Sequence, residues 1–261
     1  MDLGLQGKIA LITGGSHGIG LAIARSLADE GCITIICSRS RDRLNEALEV
    51  LNTGGISHYG YQFDALSRSS IEGLLTELYK QHPQGVDILI NNVGGGGRWG
   101  NEAVVENPLS VWDEVYQKNV GVAIQLTCAL LPNMLKKCWG RVIGITSIYG
   151  RSVGGRPWFN VAKFAETALF KNLSSNRDFV RSGVTFNTVA PGGIYIPDTG
   201  WDQQRRDNPA AFKQMVDSNF PMGRLGSPEE VASVVAFLCS KRASLVNGAS
   251  ILVDGGECPV I

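Results

Sequence analysis

The chain alternates short, nearly unbroken apolar runs with segments whose apolar residues recur at helical spacing. Residues 8–13, 33–37, 59–64, 87–91, 141–146, 184–189 and 250–254 read as strands. Residues 20–30, 41–51, 69–82, 109–135, 161–181 and 228–238 read as helices; in the first, Leu21, Ile23, Ala24, Leu27 and Ala28 share one face. Strands that are apolar on both sides of the pleat belong in a parallel sheet covered on both faces. With right-handed crossovers, this pattern predicts an α/β fold, a doubly wound parallel sheet in one domain over 1–261. Residues 194–226 break the rhythm, being long and polar. Such an excursion reads as a substrate lid or as a solvated surface segment. Trp201 and Phe212 are its candidates to cover a ligand, while Arg205 and Arg206 are expected to face solvent.

Composition narrows the function. Lys plus Arg and Asp plus Glu both number 24, so bulk charge gives no reason to expect nucleic acid or an anionic membrane as partner. The 32 glycines follow no period and must serve turns and close backbone approaches. The six cysteines form no C-x-x-C pair and do not alternate with histidine at ligand spacing, so no metal site is expected. Cys32, Cys37, Cys128 and Cys239 sit among apolar residues and read as small buried hydrophobes, with reduced thiols favoured over a disulfide. The first residues lack a basic stretch followed by an apolar core, and no apolar run has spanning length. A soluble cytoplasmic protein is the expectation.

The most informative segment is Thr13-Gly-Gly-Ser-His-Gly-Ile-Gly20, between the first strand and the first helix. Glycines at 14, 18 and 20 permit a tight turn, backbone approach to a pyrophosphate and close helix–strand packing. The helix N-terminus adds free N–H groups and a positive dipole. Strand before and helix after make this a dinucleotide-binding turn, with Ser16, His17 and Ile19 inside it. An acid at the end of the second strand would bind the ribose 2′-hydroxyl of NAD. The chain has Cys37-Ser38-Arg39-Ser40-Arg41 instead. A guanidinium pairs well with a 2′-phosphate, so NADP(H) is preferred, NAD(H) remains possible, and Arg39 is the main candidate with Ser38, Arg41 and His17 beside it.

These motifs, in this order over nearly the whole chain, resemble the short-chain dehydrogenase/reductase family, whose fold is the Rossmann fold. Asn91-Asn92-Val93-Gly94 resembles the family's N-N-A-G, Pro191-Gly192-Gly193-Ile194 its P-G-x-I beside the nicotinamide, and Val253-Asp254-Gly255-Gly256 its C-terminal V-D-G-G. The resemblance implies that Asp64 lies by the adenine and that Asn91, Gly94, Pro191, Gly192 and Ile194 belong to the cofactor site. It also implies that Asn119 holds a structural water and that Ser147 hydrogen-bonds the substrate oxygen. The family's reaction moves a hydride between nicotinamide and a carbonyl or alcohol carbon. A tyrosine acts as acid/base, and a lysine four residues on lowers its pKa and binds the nicotinamide ribose.

The chain departs from this pattern at the tyrosine. The segment reads Phe159-Asn-Val-Ala-Lys163, so Lys163 is present and the phenol is not. A phenyl ring neither gives nor takes a proton. Three explanations stand: an enzyme using another donor, an engineered Tyr-to-Phe form of a 3-oxoacyl-type reductase, or a non-catalytic dinucleotide-binding sensor or scaffold. Tyr149, Tyr195 or a water held by Asn119 and Lys163 are the substitute donors. A smaller departure puts Ile196 where the family often has a threonine for the carboxamide; Thr199 is a substitute.

Arg98 and Trp99 follow a run of four glycines, and Arg151 and Arg156 flank the site in sequence. Together they suggest a polar, anionic or sugar-like small-molecule substrate, with rim arginines in solvent as the plain alternative. His58 and His82 lie away from the site motifs. The resemblance implies a homotetramer or homodimer paired through residues 109–135, 161–181 and the last strand; Phe164, Ala165, Ala168, Leu169 and Phe170 form an apolar face that suits such pairing or plain packing against the sheet.

Overall fold

A computed structural model of the protein describes residues 2–52, 55–101 and 103–260. Seven parallel strands form one sheet: β1 (Ile9–Thr13), β2 (Ile33–Ser38), β3 (Tyr59–Gln62), β4 (Ile88–Asn91), β5 (Gly140–Ile145), β6 (Val184–Pro191) and β7 (Ser250–Val253). Their order is β3-β2-β1-β4-β5-β6-β7. The order reverses between β1 and β4, and such a switch point opens a crevice at the carboxyl ends of the strands.

Consecutive strand residues feed opposite cores, which is why the strands read as unbroken apolar runs. Ala10, Ile12, Ile36, Ile88, Ile90 and Ile143 belong to one buried cluster. Leu11, Ile35, Leu89 and Val142 belong to the other. The first cluster is closed by helices α1 (Gly18–Asp29), α2 (Arg41–Leu51) and, from the far end of the chain, Val231, Ala232 and Val235. The second is closed by α3 (Arg68–Gln81), by residues 122–134 and by Phe170.

The expected helix over 109–135 is broken. It consists of α4 (Leu109–Tyr116), a π-turn over Gln117–Gly121 and α5 (Val122–Lys136). The π-turn accommodates Asn119, whose Nδ2 donates to Val115 O at 2.7 Å. The expected helix over 161–181 starts earlier and stops earlier: α6 is Pro157–Ser174, followed by the single turn α7 (Arg177–Arg181). Pro157 opens α6 because a first-turn residue needs no intrahelical N–H. Asn176 ends the run by capping α7, accepting from Asp178 N and Phe179 N.

Residues 194–226 leave the sheet and return to their own starting point. Ile194 pairs with Gly226, and Gly226 N donates to Gly193 O at 2.9 Å. Between them lie α8 (Gly200–Asp207) and α9 (Pro209–Asn219), and α10 (Pro228–Cys239) resumes the outer layer. The excursion has its own small core of Val216, Phe220 and Leu225. Trp201 and Phe212, the candidates to cover a ligand, pack partly buried against this core, with ring centroids 6.4 Å apart.

Cys128 corrects another expectation. It is exposed, while Cys32, Cys37, Cys239 and Cys258 are buried, and all six thiols are free. The inward stripe of α5 runs through Leu126, Thr127, Leu130 and Leu131, and position 128 falls off it. No helix among the described residues is long and apolar enough to cross a membrane. No group of three or more His, Cys, Asp or Glu among them could hold a metal.

Candidate functional site

The site begins where β1 and β4 part. Thr13 ties the two strand ends together: its hydroxyl donates to Ile90 O and accepts from Asn92 N and Val93 N at 2.9 Å each. Asn92 completes the tie, donating from Nδ2 to Thr13 O at 2.8 Å. The glycine turn then wraps under this junction. A Cβ on Gly20 would fall 2.3 Å from Gly14 O and 2.6 Å from Asn92 Nδ2, so only glycine lets α1 start this close to the strands. Gly18 is in the left-handed region at φ 54°. His17 is the N-cap of α1 and makes no side-chain cap hydrogen bond, which leaves the first N–H groups of the helix available to an anion.

Beside the turn is a cleft of about 260 Å³ lined by Gly14, Ser38, Arg39, Asp64, Gly94 and Lys118 among others. Asp64 is held by its own loop, donating from N to Ser70 Oγ and accepting from Leu66 N. Arg39 is exposed at its mouth, and its carbonyl accepts from Gln62. Ser38 turns its hydroxyl to Ser40 O. A free helix N-terminus, a glycine cradle and a cationic cleft together fit a dinucleotide; the glycine turn and α1 would hold the pyrophosphate, and Arg39 the adenosine end.

Lys118 was not legible as a site residue. It comes from the π-turn, and its Nζ lies 4.5 Å from the Trp99 ring centroid. Burial, then the Arg39 charge, lower its pKa, while Asp64 opposes them. The cleft therefore carries two cations, one from each side. Asn91 moves the other way. Its side chain is 3% exposed and donates to Thr127 Oγ1 on α5. Asn92, Val93 and Gly94, just past the end of β4, line the cleft, while the Asn91 side chain is taken up by α5.

The second half of the site stands at the end of β5. Ser147 follows the strand in an extended conformation, its Oγ accepting from Tyr149 N at 3.2 Å. The next turn passes close under α6: a Cβ on Gly150 would lie 2.8 Å from Lys163 O. Gly144 in β5 lets the helix approach the sheet, because a Cβ there would strike the Phe170 ring at 2.7 Å. That close seat brings Lys163 Nζ to Ile145 O at 3.0 Å and to Glu166 Oε2 at 2.7 Å. Lys163 and Glu166 are both buried.

Lys163 also borders the first half. A Cβ on Gly94 would meet Lys163 Nζ at 3.0 Å and Asn119 Oδ1 at 2.7 Å. Asn119 is fully buried and clamps the loop after β4, with Gly95 N donating to Oδ1 and Nδ2 donating to Gly95 O. Phe159 lies over this junction, its ring centroid 5.8 Å from Lys163 Nζ and edge-on to Tyr149 at 6.5 Å. Ser147, Phe159, Lys163, Asn119 and Gly94 are thus assembled at one edge of the sheet, next to the glycine turn.

The two substitute phenols are not prepared as the family's tyrosine is. Burial first, then Glu257, push the Tyr149 pKa up. Tyr195 donates to Asp202 Oδ1 at 2.5 Å inside the excursion, and that bond raises its pKa. Each phenol is shifted away from phenolate, and neither is paired with Lys163.

The end of the site expected to take the nicotinamide is bordered by backbone and by Glu257. Pro191 ends β6, Gly192 N donates to Val253 O, and Gly193 N donates to Glu257 Oε2 at 2.6 Å. Ile194 is buried at the neck of the excursion. Ile196 packs onto Gly18, and Thr199 donates to Ile196 O at 2.7 Å. Arg151 does not face the site: its guanidinium donates to Ser250 O on β7. Arg156 lies 5.7 Å from the Trp158 ring centroid, and Trp158 in turn donates to Gly96 O. His58 is used structurally, bonded to Thr34, and His82 packs edge-on against Tyr59.

A family model described as Enoyl-(Acyl carrier protein) reductase matches residues 14–257. The chain belongs to the short-chain dehydrogenase/reductase family. It is 35% identical over 258 residues to the 3-oxoacyl-(acyl-carrier-protein) reductase FabG of Aquifex aeolicus, covering 98% of this chain and 99% of that protein. It is 34% identical to bovine dehydrogenase/reductase SDR family member 4, over 97% of this chain and 88% of the relative. Among solved structures, the L-sorbose reductase of Gluconobacter frateurii, complexed with NADPH and L-sorbose, superposes with a TM-score of 0.91 at 32% identity, covering 100% of both chains. Members of this short-chain family are oxidoreductases, and the seven-stranded Rossmann sheet is theirs.

Two members of the site carried no family signature. Lys118 immediately precedes Asn119, and Glu166 is one turn after Lys163. Glu166 did leave a trace in the sequence. It falls on the same helical stripe as Ala162, Lys163 and Phe170, where a charge without a partner is not expected.

Proposed function

We propose that the protein is an NADP(H)-preferring reductase of small polar carbonyl compounds, sugar-like or anionic. The observation that carries this is the seating of Lys163 Nζ against Gly94 and Asn119 while it is held to Ile145 O, two residues before Ser147, at the same sheet edge as the glycine turn. A relic of a reductase would not need a buried lysine held to Ile145 O there. Preference for NADP(H) is supported by Arg39, at the strand end where an acid selecting NAD would stand, with Lys118 as a second cation in the same cleft. A polar substrate is supported by the likeness to a reductase whose structure holds L-sorbose.

When bound, the reduced nicotinamide supplies a hydride to the carbonyl carbon. Ser147 would orient the substrate oxygen with its hydroxyl, Lys163 would hold the ribose hydroxyls and bring positive potential, and Asn119 would fix the floor of the pocket through Gly95. The excursion over 194–226 would act as the lid. Assembly as a homodimer or homotetramer is supported by the outward side of α6, where Val161 and Phe164 are 51% and 42% exposed.

The test is NADPH and NADH oxidation against a carbonyl panel, for this chain and for Phe159→Tyr side by side, with dinucleotide binding followed by fluorescence. Turnover with NADPH by either form supports the reading. Tight binding without turnover by both favours the sensor, for which the missing phenol is the one specific argument. Absence of dinucleotide binding overturns both.

A further inference from the structure

Lys163 stands on a second ionisable group that the family's reaction does not use. Glu166 is 0% exposed, and its Oε2 accepts from Lys163 Nζ at 2.7 Å. Its other oxygen, Oε1, is buried with no hydrogen-bond partner. A buried carboxylate with one bare oxygen is a costly state, and a proton on it removes the cost. Burial pushes the Glu166 pKa up to about 7, against the pull of Lys163.

No other charge compensates it. Among the described residues, Lys163 is the cation within ion-pair distance of Glu166. From the π-turn, Lys118 faces the Lys163 charge, which adds to burial and Arg39 in lowering the Lys118 pKa. On β5, Arg141 is used at the opposite end of the strand, on the Gly140, Gly183 and Ser240 carbonyls. On β6, Asn187 and Thr188 are neutral, and on the turn after β5 Tyr149 is shifted upward. Asp113 and Glu114 of α4 and Arg177, Asp178 and Arg181 of α7 are exposed.

We propose that Glu166 is the proton store of this site, holding beneath Lys163 the proton that a tyrosine at position 159 would have delivered to the substrate oxygen. The proposal rests on the reductase reading. The carbonyl π bond breaks toward oxygen as the new C–H bond forms with the hydride of the reduced nicotinamide dinucleotide. The oxygen takes a proton from a water held by Lys163 and Asn119, that water takes one from the Lys163 ammonium, and Lys163 takes the proton held by Glu166. The pair passes from an ammonium with a neutral acid to an ion pair. Without the stored proton, the same donation would strand a buried carboxylate beside a neutral amine, the unfavourable arrangement. Solvent reprotonates Glu166 between turnovers. Glu166 touches no substrate and acts through Lys163; it is a positioning residue.

The test begins with an infrared titration of the whole protein without dinucleotide. A protonated-carboxyl band should vanish as pH rises through about 7 and be missing from Glu166→Gln. NADPH-dependent reduction should slow over the same interval. Glu166→Gln should be about a hundredfold slower or more, with that inflection gone. Phe159→Tyr should lose the inflection as well, because the phenol takes over. Adding Glu166→Gln to Phe159→Tyr should then cost less than about threefold, since the two changes act on one function. A carboxyl ionised throughout, or a double variant as slow as Glu166→Gln alone, overturns the proposal. If Glu166→Gln does not fold, the band of the unmodified protein and the Phe159→Tyr profile still decide. NADPH fluorescence separates the two readings. Binding without the band removes the proton store only, and no binding removes the reductase reading beneath it.

Discussion

The guanidinium of Arg98 lies over the indole of Trp201, 5.7 Å from its centroid, and occupies the space a side chain at position 200 would need. The loop after β4 and the excursion over 194–226 are therefore latched by one residue from each. The glycine at the start of α8 is what leaves room for the latch.

Gly200→Ala would put a methyl on the guanidinium and release it. Gly200→Ala and Arg98→Ala should each cost about 0.5–1 kcal/mol, the value of an exposed cation–π contact, and should not add in the double variant. Limited proteolysis within 194–226 should speed up equally in all three. Additive effects in the thermal unfolding of the three variants would show that no latch exists.

Arg39→Ala should weaken NADPH binding about 10- to 100-fold and NADH binding little, the loss expected of one charge-assisted hydrogen bond to a phosphate. Lys118→Met should weaken both dinucleotides if it reaches a shared phosphate, and NADPH alone if it reaches the 2′-phosphate. Fluorescence titration of each dinucleotide distinguishes these outcomes. Equal loss for both dinucleotides in Arg39→Ala would end its role in selection.

Lys163→Met should cost more stability at about pH 8 than at about pH 5, because Lys163 is what pulls the Glu166 carboxyl down from where burial alone would put it. The cost should shrink in acid, where Glu166 carries a proton and needs no partner. Urea midpoints at about pH 5 and about pH 8 measure this, and a cost independent of pH would exclude an ionisable Glu166.

Glu166 also makes a signed prediction for the unmodified protein. Its folded pKa of about 7 lies above the ordinary value of 4.5, so the native state binds the proton more tightly than the unfolded chain does. Its stabilising contribution is complete below about 4.5 and is lost as pH rises through about 7. Glu166→Gln should flatten the fall in stability over that interval, on the order of 1–3 kcal/mol.

Under the proposed assembly through α6, Phe164→Glu together with Val161→Lys should give folded monomers, since both residues are exposed. Analytical ultracentrifugation reads this directly. An unchanged sedimentation coefficient would move the interface elsewhere.

Much of this was visible in the residues. Apolar runs such as Ile33–Cys37 announced buried parallel strands, the glycines at 14, 18 and 20 announced the turn beneath a dinucleotide, and Phe159 announced the missing phenol. Other features were not visible. The break at Gln117–Gly121 comes from the bond between Asn119 and Val115, and propensity carries no record of it. Trp201 and Phe212 looked like a cover for a ligand because an aromatic in a polar stretch gives no hint of a private core.

What the sequence determined by itself is the layered sheet, the glycine turn ahead of α1 and the absence of a tyrosine at 159. Periodicity and glycine spacing are local, and a strand or a tight turn states its requirements within a few residues. What only the tertiary structure decided is the electrostatics of the site. Lys118 reaches the cleft from a π-turn, Asn91 turns away from it, and Glu166 lies under Lys163 with one oxygen bare. A charge takes its meaning from burial and from partners at a few ångströms, and those are set by how Phe170 seats α6 on Gly144, a contact between residues 26 positions apart.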